Sequence, residues 1–326
     1  MKAKSLLIAL TFVLSFFIWS VNSANAVIVS PVVVEHELAP GMSVEGVMRI
    51  TNEFDNAEKY YVTIQSFSPK GEEGQQEYLP EDVIDGLPSW VNVQSAVTVN
   101  PRTTEEVPYK ITAPIDAEPG GHYASIFYST TPPNLNDDSG VGIAAKTGII
   151  FLIKISGDII EYATIESFES NQKVFSHLPA MMSLRIRNNG NVHFRPQGTL
   201  EVRNMWGGVV ARLPANPSNG AVLPNSIRRL NTWWAKSNDV AEGGFMAGLT
   251  NEWRNFALGK YTATVNAKYG EQNKAFEAKT VSFWVIPWRM LLILIVLLAI
   301  FILGMKMYNK AIVNAALNKK SLNKKK

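Results

Sequence analysis

The chain of 326 residues contains no cysteine. That absence excludes a disulfide framework, an iron–sulfur cluster, a thiolate zinc site and a cysteine nucleophile. In an exported protein it also argues against a disulfide-stapled animal module and toward a bacterial envelope, where packing alone holds many sandwiches together. Histidine is scarce too: His36, His122, His177 and His193 are the four. None has the spacing to another that a histidine-based zinc pair needs. No G-x-S-x-G elbow, P-loop or H-E-x-x-H segment occurs. In Glu35-His36-Glu37 only the two glutamates would share a face of a strand, which reads as a solvated edge. Asn134-Leu135-Asn136-Asp137-Asp138-Ser139-Gly140 has the acidity of a calcium loop. It carries Ser139 where such a loop needs glycine and Ala145 where it needs glutamate, and is read as a hairpin tip. Nothing in the spacing of the 28 acidic residues singles out a catalytic pair. The expectation is a protein with no catalytic, metal-binding or cofactor-binding residues, and so no enzyme.

The two ends lack acidic residues altogether, and they set the expected topology. Lys2 and Lys4 precede an apolar stretch from Leu6 to Trp19, closed by Ala24-Asn25-Ala26. This is the pattern of a signal peptide, residues 1–26, with the mature chain starting at Val27. Near the other end no charge interrupts residues 290–305. With Val285-Ile286-Pro287-Trp288 ahead of it, the segment 285–305 has about the 20 apolar residues that cross a bilayer. Trp284 and Trp288 suit the outer interface, and Arg289 can extend its head group to it. Seven lysines and no acid follow in 306–326, so this tail is expected in the cytoplasm. The alternative to a membrane span is a core helix, which leaves the lysine tail without a role.

Charge in the middle is segregated. Residues 27–157 hold 7 Lys and Arg against 18 Asp and Glu, whereas 158–287 hold 14 against 10. The net charge of +3 therefore arises at the ends and in the second half, and implies no nucleic-acid partner.

Between the ends, short alternating runs are divided by Pro, Gly, Asn and Asp clusters. Strands are expected over 28–34, 44–51, 60–67, 105–112, 123–129 and 143–155, then over 164–168, 182–187, 198–203, 227–235, 261–268 and 278–284. Six or so short strands in each half predict an all-β fold: two tandem immunoglobulin-like β-sandwich domains, 27–157 and 158–284, plus a C-terminal transmembrane helix. The halves also repeat. Met48-Arg49-Ile50-Thr51-Asn52 matches Leu184-Arg185-Ile186-Arg187-Asn188, and Val97-Thr98-Val99-Asn100-Pro101 parallels Ala221-Val222-Leu223-Pro224-Asn225. Gly121-His122-Tyr123 parallels Gly259-Lys260-Tyr261, which marks Tyr123 and Tyr261 as candidate tyrosine corners. Ser125 and Ala263 then stand where an antibody domain has its cysteine.

Two stretches fit a sandwich poorly. Residues 69–88 form an acidic insertion with Glu72, Glu73, Glu77, Glu81, Asp82 and Asp85. Residues 237–256 form a second, with Gly243-Gly244, Trp253 and Phe256. Long loops on a rigid scaffold often bind partners, and they are as often solvated surface. The candidate binding residues are Trp206, at a hairpin tip, Trp233 and Trp234, of which a strand can bury only one, and Trp253. A core tryptophan folded over its turn is the plainer reading of Trp206, whereas for the pair a covering loop and a partner-binding role stand level.

The arrangement resembles the WxL-interacting cell-surface proteins of Gram-positive bacteria. Leu38-Ala39-Pro40-Gly41 followed by residues 47–52 is similar to that family's opening, and Ala113-Pro114 with Pro119-Gly120-Gly121-His122-Tyr123-Ala124-Ser125-Ile126 resembles its P…PGGHY stretch. Asn189-Gly190-Asn191-Val192-His193 and Leu223-Pro224-Asn225-Ser226 are similar to its second domain, whereas the 237–256 insertion departs from it. The resemblance implies a membrane-anchored envelope adaptor, its membrane-distal unit contacting peptidoglycan and its proximal unit holding another surface protein. It carries over no binding residue, because the matching motifs are turns and corners. Two other readings stand beside it: an envelope chaperone of the pilus-assembly type, which also uses two immunoglobulin-like domains, and a surface glycosidase.

Overall fold

The computed structural model describes residues 27–80, 83–132, 146–237 and 239–323. The expected signal peptide, the hairpin tip at 134–140, Glu81, Asp82 and the last three lysines lie outside the described residues. The chain divides into two compact units, one of residues 1–68 and 77–158, the other of residues 69–76 and 159–326.

The first unit is a sandwich. Its strands are β1 (Val27–Ser30), β2 (Val33–Leu38), β3 (Ser43–Asn52), β4 (Glu58–Lys70), β5 (Gln75–Tyr78), β6 (Val91–Val93), β7 (Ala96–Val99), β8 (Thr104–Thr112), β9 (Gly120–Ser129) and β10 (Lys146–Ile155), with one helical turn, α1 (Leu87–Trp90). One sheet has the order β1-β3-β8-β6, the other β2-β10-β9-β4-β5 with β7 also on β4. Residues 28–34, expected as one strand, split at Pro31. A proline has no N–H to offer a ladder, and the chain changes sheets there, so β1 pairs antiparallel with β3 and β2 parallel with β10. Alternation then fills the space between the sheets. Met48 and Ile50 of β3, Val107 and Ile111 of β8, Ala124, Ile126 and Tyr128 of β9, and Ile149, Phe151 and Ile153 of β10 are all buried. Tyr109 lies across its partner Gly46, where a Cβ would stand 2.3 Å from the phenol oxygen. Its hydroxyl meets His36 Nε2 at 3.0 Å.

The second unit repeats this plan with β11 (Ala163–Ser170), β12 (Val174–Phe175), β13 (Ala180–Asn188), β14 (Gln197–Asn204), β15 (Val209–Pro214), β16 (Ser226–Trp234), α2 (Gly244–Arg254), β17 (Gly259–Tyr269), β18 (Lys274–Ala275) and β19 (Lys279–Val285). Its sheets run β11-β13-β16 and β12-β19-β17-β14-β15, with β18 on β17. Again the entering chain feeds both sheets, β11 antiparallel to β13 and β12 parallel to β19. The fold is all-β, two immunoglobulin-like sandwiches, and a C-terminal helix α3 (Trp288–Asn323) follows β19 after two residues. Residues 288–314 of α3 are long and apolar enough to cross a membrane.

The acidic insertion is part strand: β4 runs on to Lys70 and β5 returns from Gln75. The turn between them belongs to the second unit. There the Glu72 carboxylate accepts from Arg185 Nε at 2.8 Å and Arg229 Nη2 at 3.0 Å, and Glu73 pairs with Arg229 at 3.1 Å. The Arg185 guanidinium, donating to Glu72, holds that carboxyl down at about 2.

Candidate interaction surface at the end of the second unit

The 237–256 insertion folds around α2. Gly243 and Gly244 enter the helix at φ of 89° and 60°, where L side chains are strained. Two buried asparagines pin its flanks. Asn251 accepts from the Ala241 N–H at 2.8 Å and donates to the Ala241 carbonyl at 2.9 Å, and Asn255 Oδ1 accepts from the N–H groups of Lys236 and Ser237.

The polarity of α2 is inverted for a helix facing water. Gly248, Asn251 and Glu252 are its buried residues. Phe245, Met246 and Trp253 are exposed, Met246 to 70% and Trp253 to 73%. With Leu249 they form one stripe at helical spacing.

Glu252, with no exposed side-chain surface, joins this helix to the next. Its carboxylate accepts from the N–H of Met290 at 2.8 Å, the N–H of Arg289 at 3.2 Å and Arg289 Nη1 at 3.1 Å. The first N–H groups of a helix have no partner within it, and a negative charge there also meets the positive end of the helix dipole. Glu252 therefore caps α3 from a different segment of the chain. Arg289 completes the joint: its guanidinium carbon sits 4.5 Å from the centre of the Trp288 ring and lies against Gly248.

Pairing registers show where the candidate tryptophans fall. Asn204 of β14 is opposite Tyr261 of β17, and Gly259 is opposite Val285 of β19. The β14–β15 turn carrying Trp206 is therefore at the end of the sheet from which α3 leaves. Trp206 is exposed to 79%. Trp253 is at the same end, on α2, and Trp284 and Trp288 are half exposed beside it. The pair resolves by strand alternation. Trp234 is 3% exposed, edge-on to Tyr261 with ring centres 4.8 Å apart, and Trp233 is exposed on the outer side of β16. The structure thus gathers Trp206 and Trp253, puts Trp233 on another face and places Trp234 in the core. Glu252 and Gly248 were not among the residues singled out from sequence, and Arg289, noted there only for its reach to the outer interface, turns toward Glu252. Only the Gly243-Gly244 pair and the four-residue spacing of Phe245, Leu249 and Trp253 carry a helical signal there.

The two corner tyrosines differ. The Tyr261 hydroxyl accepts from the Leu258 N–H at 3.2 Å and donates to the Leu258 carbonyl at 3.3 Å. Tyr123 is on the outer face of β9 instead, with Phe67 at 6.0 Å between ring centres. Gly120 is opposite Ile155 as Gly259 is opposite Val285, so the residue matching Tyr261 is His122, whose Nε2 meets the Glu118 carbonyl at 2.9 Å. The residues two further along are Ala124 and Ala263, both buried, and Ser125 faces out toward the Tyr78 hydroxyl.

The first unit offers one further surface, a groove of about 530 Å³ along the outside of its smaller sheet. Val47 and Pro108 line it with Asn92 and Gln94, and Glu45 and Lys110 pair across it at 2.9 Å. The edge strand β6 borders it. Among the described residues no three His, Asp or Glu side chains gather to hold a metal ion. His36 is driven toward its neutral form by burial, next to Tyr109.

No family model matches the sequence, and no curated protein matches it. Several solved structures resemble the fold. The class 5 fimbriae chaperone CfaA is 9% identical, with a TM-score of 0.35, over 80% of this chain and all of that one. The Escherichia coli chaperone DraB is 9% identical, with a TM-score of 0.35, over 79% of this chain and 97% of that one. The CupB2 chaperone of Pseudomonas aeruginosa is 9% identical, with a TM-score of 0.33, over 79% of this chain and all of that one. Likenesses this distant concern the fold alone.

Proposed function

We propose that the chain is a membrane-tethered, non-enzymatic binding protein of a bacterial envelope, an adaptor that holds another surface protein on its first unit. The tether is the better supported half. The observation that carries it is the joint at Glu252: a buried carboxylate of the folded second unit caps the helix that is long and apolar enough to span a bilayer. A folded unit and an anchor built into each other suit a protein that acts at a fixed height above a membrane.

For the partner, the groove beside β6 combines apolar floor residues, Val47 and Pro108, with an exposed strand edge. An extended segment of a partner can add to such an edge through its backbone and place alternate side chains in the groove. One observation favours the second reading, a chaperone that holds an unfolded client. The register of β2 on β10 covers Ile150–Ile155 only, so among the described residues β10 has no strand on that side over 147–149. A client strand could extend the sheet there.

The test is a capture experiment with the full chain in detergent micelles, offered in parallel insoluble peptidoglycan sacculi and solubilised surface proteins from the same cells. The adaptor reading expects one folded surface protein to be retained by the native chain and lost with Val47→Arg. Retention on sacculi alone would move the function to glycan binding. Retention of unfolded subunits only, unaffected by Val47→Arg, would favour the chaperone.

A further inference from the structure

Trp253, Met246 and Phe245 are exposed on a helix whose buried face is polar, with Phe245 edge-on to Trp288 at 6.2 Å between ring centres. In water this arrangement exposes apolar surface and spends the core-facing side on Gly248, Asn251 and Glu252. It suits a helix with a third environment beside it. Helices that lie in the plane of a bilayer interface have this pattern, apolar on the lipid side and held on the other by polar contacts.

Position agrees with that reading. Glu252 ties α2 to the first turn of α3, which is where a membrane-spanning helix meets the head groups. Between the two helices is an apolar groove of about 400 Å³, lined by Leu249 and Trp253 on one side and Met290 and Ile293 on the other. One of its two walls therefore belongs to the apolar helix itself, and Thr250 and Arg254 complete the other. Trp206, on the hairpin turn at this end of the sheet, adds an aromatic side chain, and Trp284 and Trp288 add two more. Tryptophan is enriched at both faces of a bilayer, where its ring sits in the apolar region and its N–H among the head groups. Of the eight tryptophans in the chain, six fall between residues 206 and 288. Four of those six, Trp206, Trp253, Trp284 and Trp288, are exposed at this end, a clustering of apolar surface that a protein–water boundary does not explain.

We propose that this end of the second unit is a lipid-docking face. Phospholipid of the leaflet that α3 enters is its occupant: α2 lies in the interface with Met246, Leu249 and Trp253 toward the acyl chains, and a lipid tail fills the groove against Met290 and Ile293. The proposal rests on the reading of α3 as the anchor and adds that the folded unit itself sits on the membrane, rather than hanging from it on a free stalk. The seated unit would keep a defined height and tilt, which is what an adaptor presenting a binding groove requires.

The absence of cysteine makes the test direct, since any introduced cysteine is unique. The full chain is prepared as Met246→Cys, as Leu297→Cys within the apolar helix, and as Thr104→Cys on the first unit. Each is labelled with an environment-sensitive fluorophore and reconstituted in phosphatidylcholine–phosphatidylglycerol vesicles. Quenching is read with lipids carrying a nitroxide high on the acyl chain and, separately, with aqueous iodide. All three positions are exposed, so the substitutions leave the core intact.

The expected result is a blue shift and loss of fluorescence at Met246→Cys with the shallow nitroxide lipid, quenching at Leu297→Cys by lipid but not iodide, and quenching at Thr104→Cys by iodide alone. Iodide quenching of Met246→Cys without lipid quenching, while Leu297→Cys is in lipid, overturns the docking face and leaves the anchor standing. Shielding of Met246→Cys from both quenchers also overturns it, and assigns the face to a second protein. Iodide quenching at Leu297→Cys overturns the anchor, and the docking face with it.

Discussion

Asn52 and Asn188 occupy the same place in the two sandwiches and make the same three hydrogen bonds. Each ends the strand that follows the entering chain, and each is fully buried. Asn52 Nδ2 donates to the carbonyl of Asn56 at 2.8 Å and of Val99 at 3.1 Å, and its Oδ1 accepts from the Phe54 N–H at 2.9 Å. Asn188 Nδ2 donates to Val192 at 2.8 Å and Val222 at 3.0 Å, and its Oδ1 accepts from the Gly190 N–H at 2.9 Å. The offsets to the loop, two residues and four, are identical. One amide thus satisfies three backbone groups where the strand gives way to its loop.

The first prediction follows from that accounting. Asn188→Ala leaves the Val192 and Val222 carbonyls and the Gly190 N–H without this partner, at about 1–3 kcal/mol for a group left buried and unsatisfied. A loss of about 2–4 kcal/mol is expected for the second unit, since a turn can relax enough to recover part of the cost. Denaturant unfolding of the full chain in micelles would read it as a lower midpoint for that unit's transition. Asn52→Ala should act alike on the first unit. A shift within half a kcal/mol for both would show that the amides are not what holds the turns.

The tryptophan pair gives a contrast between neighbours. Trp234 packs edge-on to Tyr261 in the core, so Trp234→Ala should cost about 3–5 kcal/mol. Trp233 stands outside, and Trp233→Ala should stay within about 0.5 kcal/mol. Thermal melts of the two variants check this, and equal losses would contradict the assignment.

At Gly248 the sign of a substitution should depend on a second residue. A Cβ there would stand 2.4 Å from the Arg289 guanidinium carbon, so Gly248→Ala must push aside a side chain held by Glu252. In the native background the change should destabilise the joint. With Arg289→Ala already made, the same change should be favourable by about 0.5–1 kcal/mol, the helix preference of alanine over glycine. A double-mutant cycle with opposite signs is the expected outcome, and additivity would rule out the contact.

Acid should act through Glu72. Its pKa in the folded chain, about 2, is below the ordinary 4.5, so pairing with Arg185 and Arg229 adds stability above pH 4.5. That contribution fades as the pH falls from 4.5 and is gone once it passes about 2. Unfolding of native and Glu72→Gln chains should therefore differ at pH 7 and converge near pH 2. A difference that stayed constant with pH would mean that the ion pair is not its source.

Much of the fold was legible because sandwich strands alternate and end in turns. Each strand expected in the second half lies within one of β11, β13, β14, β16, β17 and β19 or overruns it by a residue. The repeat at Asn52 and Asn188 was legible too, since the strand and the polar loop share one pattern. Register was harder. The sequence match put Thr98 opposite Val222, whereas hydrogen bonding to the two asparagines equates Val99 with Val222. The match Gly121-His122-Tyr123 was also one residue out, because a glycine pair and an aromatic align equally well either way. Only the pairing of Gly120 with Ile155 decides it. One residue of slip moves a side chain to the opposite face of the sheet, and Tyr123 went with it.

The joint at Glu252 was not legible at all. Its partners, Arg289 and Met290, are 37 and 38 residues away, and no periodicity spans such a distance. The helix between β16 and β17 left a signal in the spacing of Phe245, Leu249 and Trp253, but that signal is silent on which face turns inward, and here it is the polar one. The acidic turn at Glu72 misled for a related reason. Acids that pair with Arg185 and Arg229 have the composition of solvated surface until their partners are known.

The most direct test of a membrane tether is the accessibility of single cysteines in the cell, which this cysteine-free chain permits. Thr104→Cys, on the first unit, and Asn309→Cys, past Lys306 where the uncharged run 290–305 ends, would each be exposed in spheroplasts to a maleimide that cannot cross a bilayer. The account predicts labelling of Thr104→Cys in intact spheroplasts and of Asn309→Cys only after permeabilisation. Labelling of both without permeabilisation would contradict it, and the chain would then have no membrane between its folded units and its basic end.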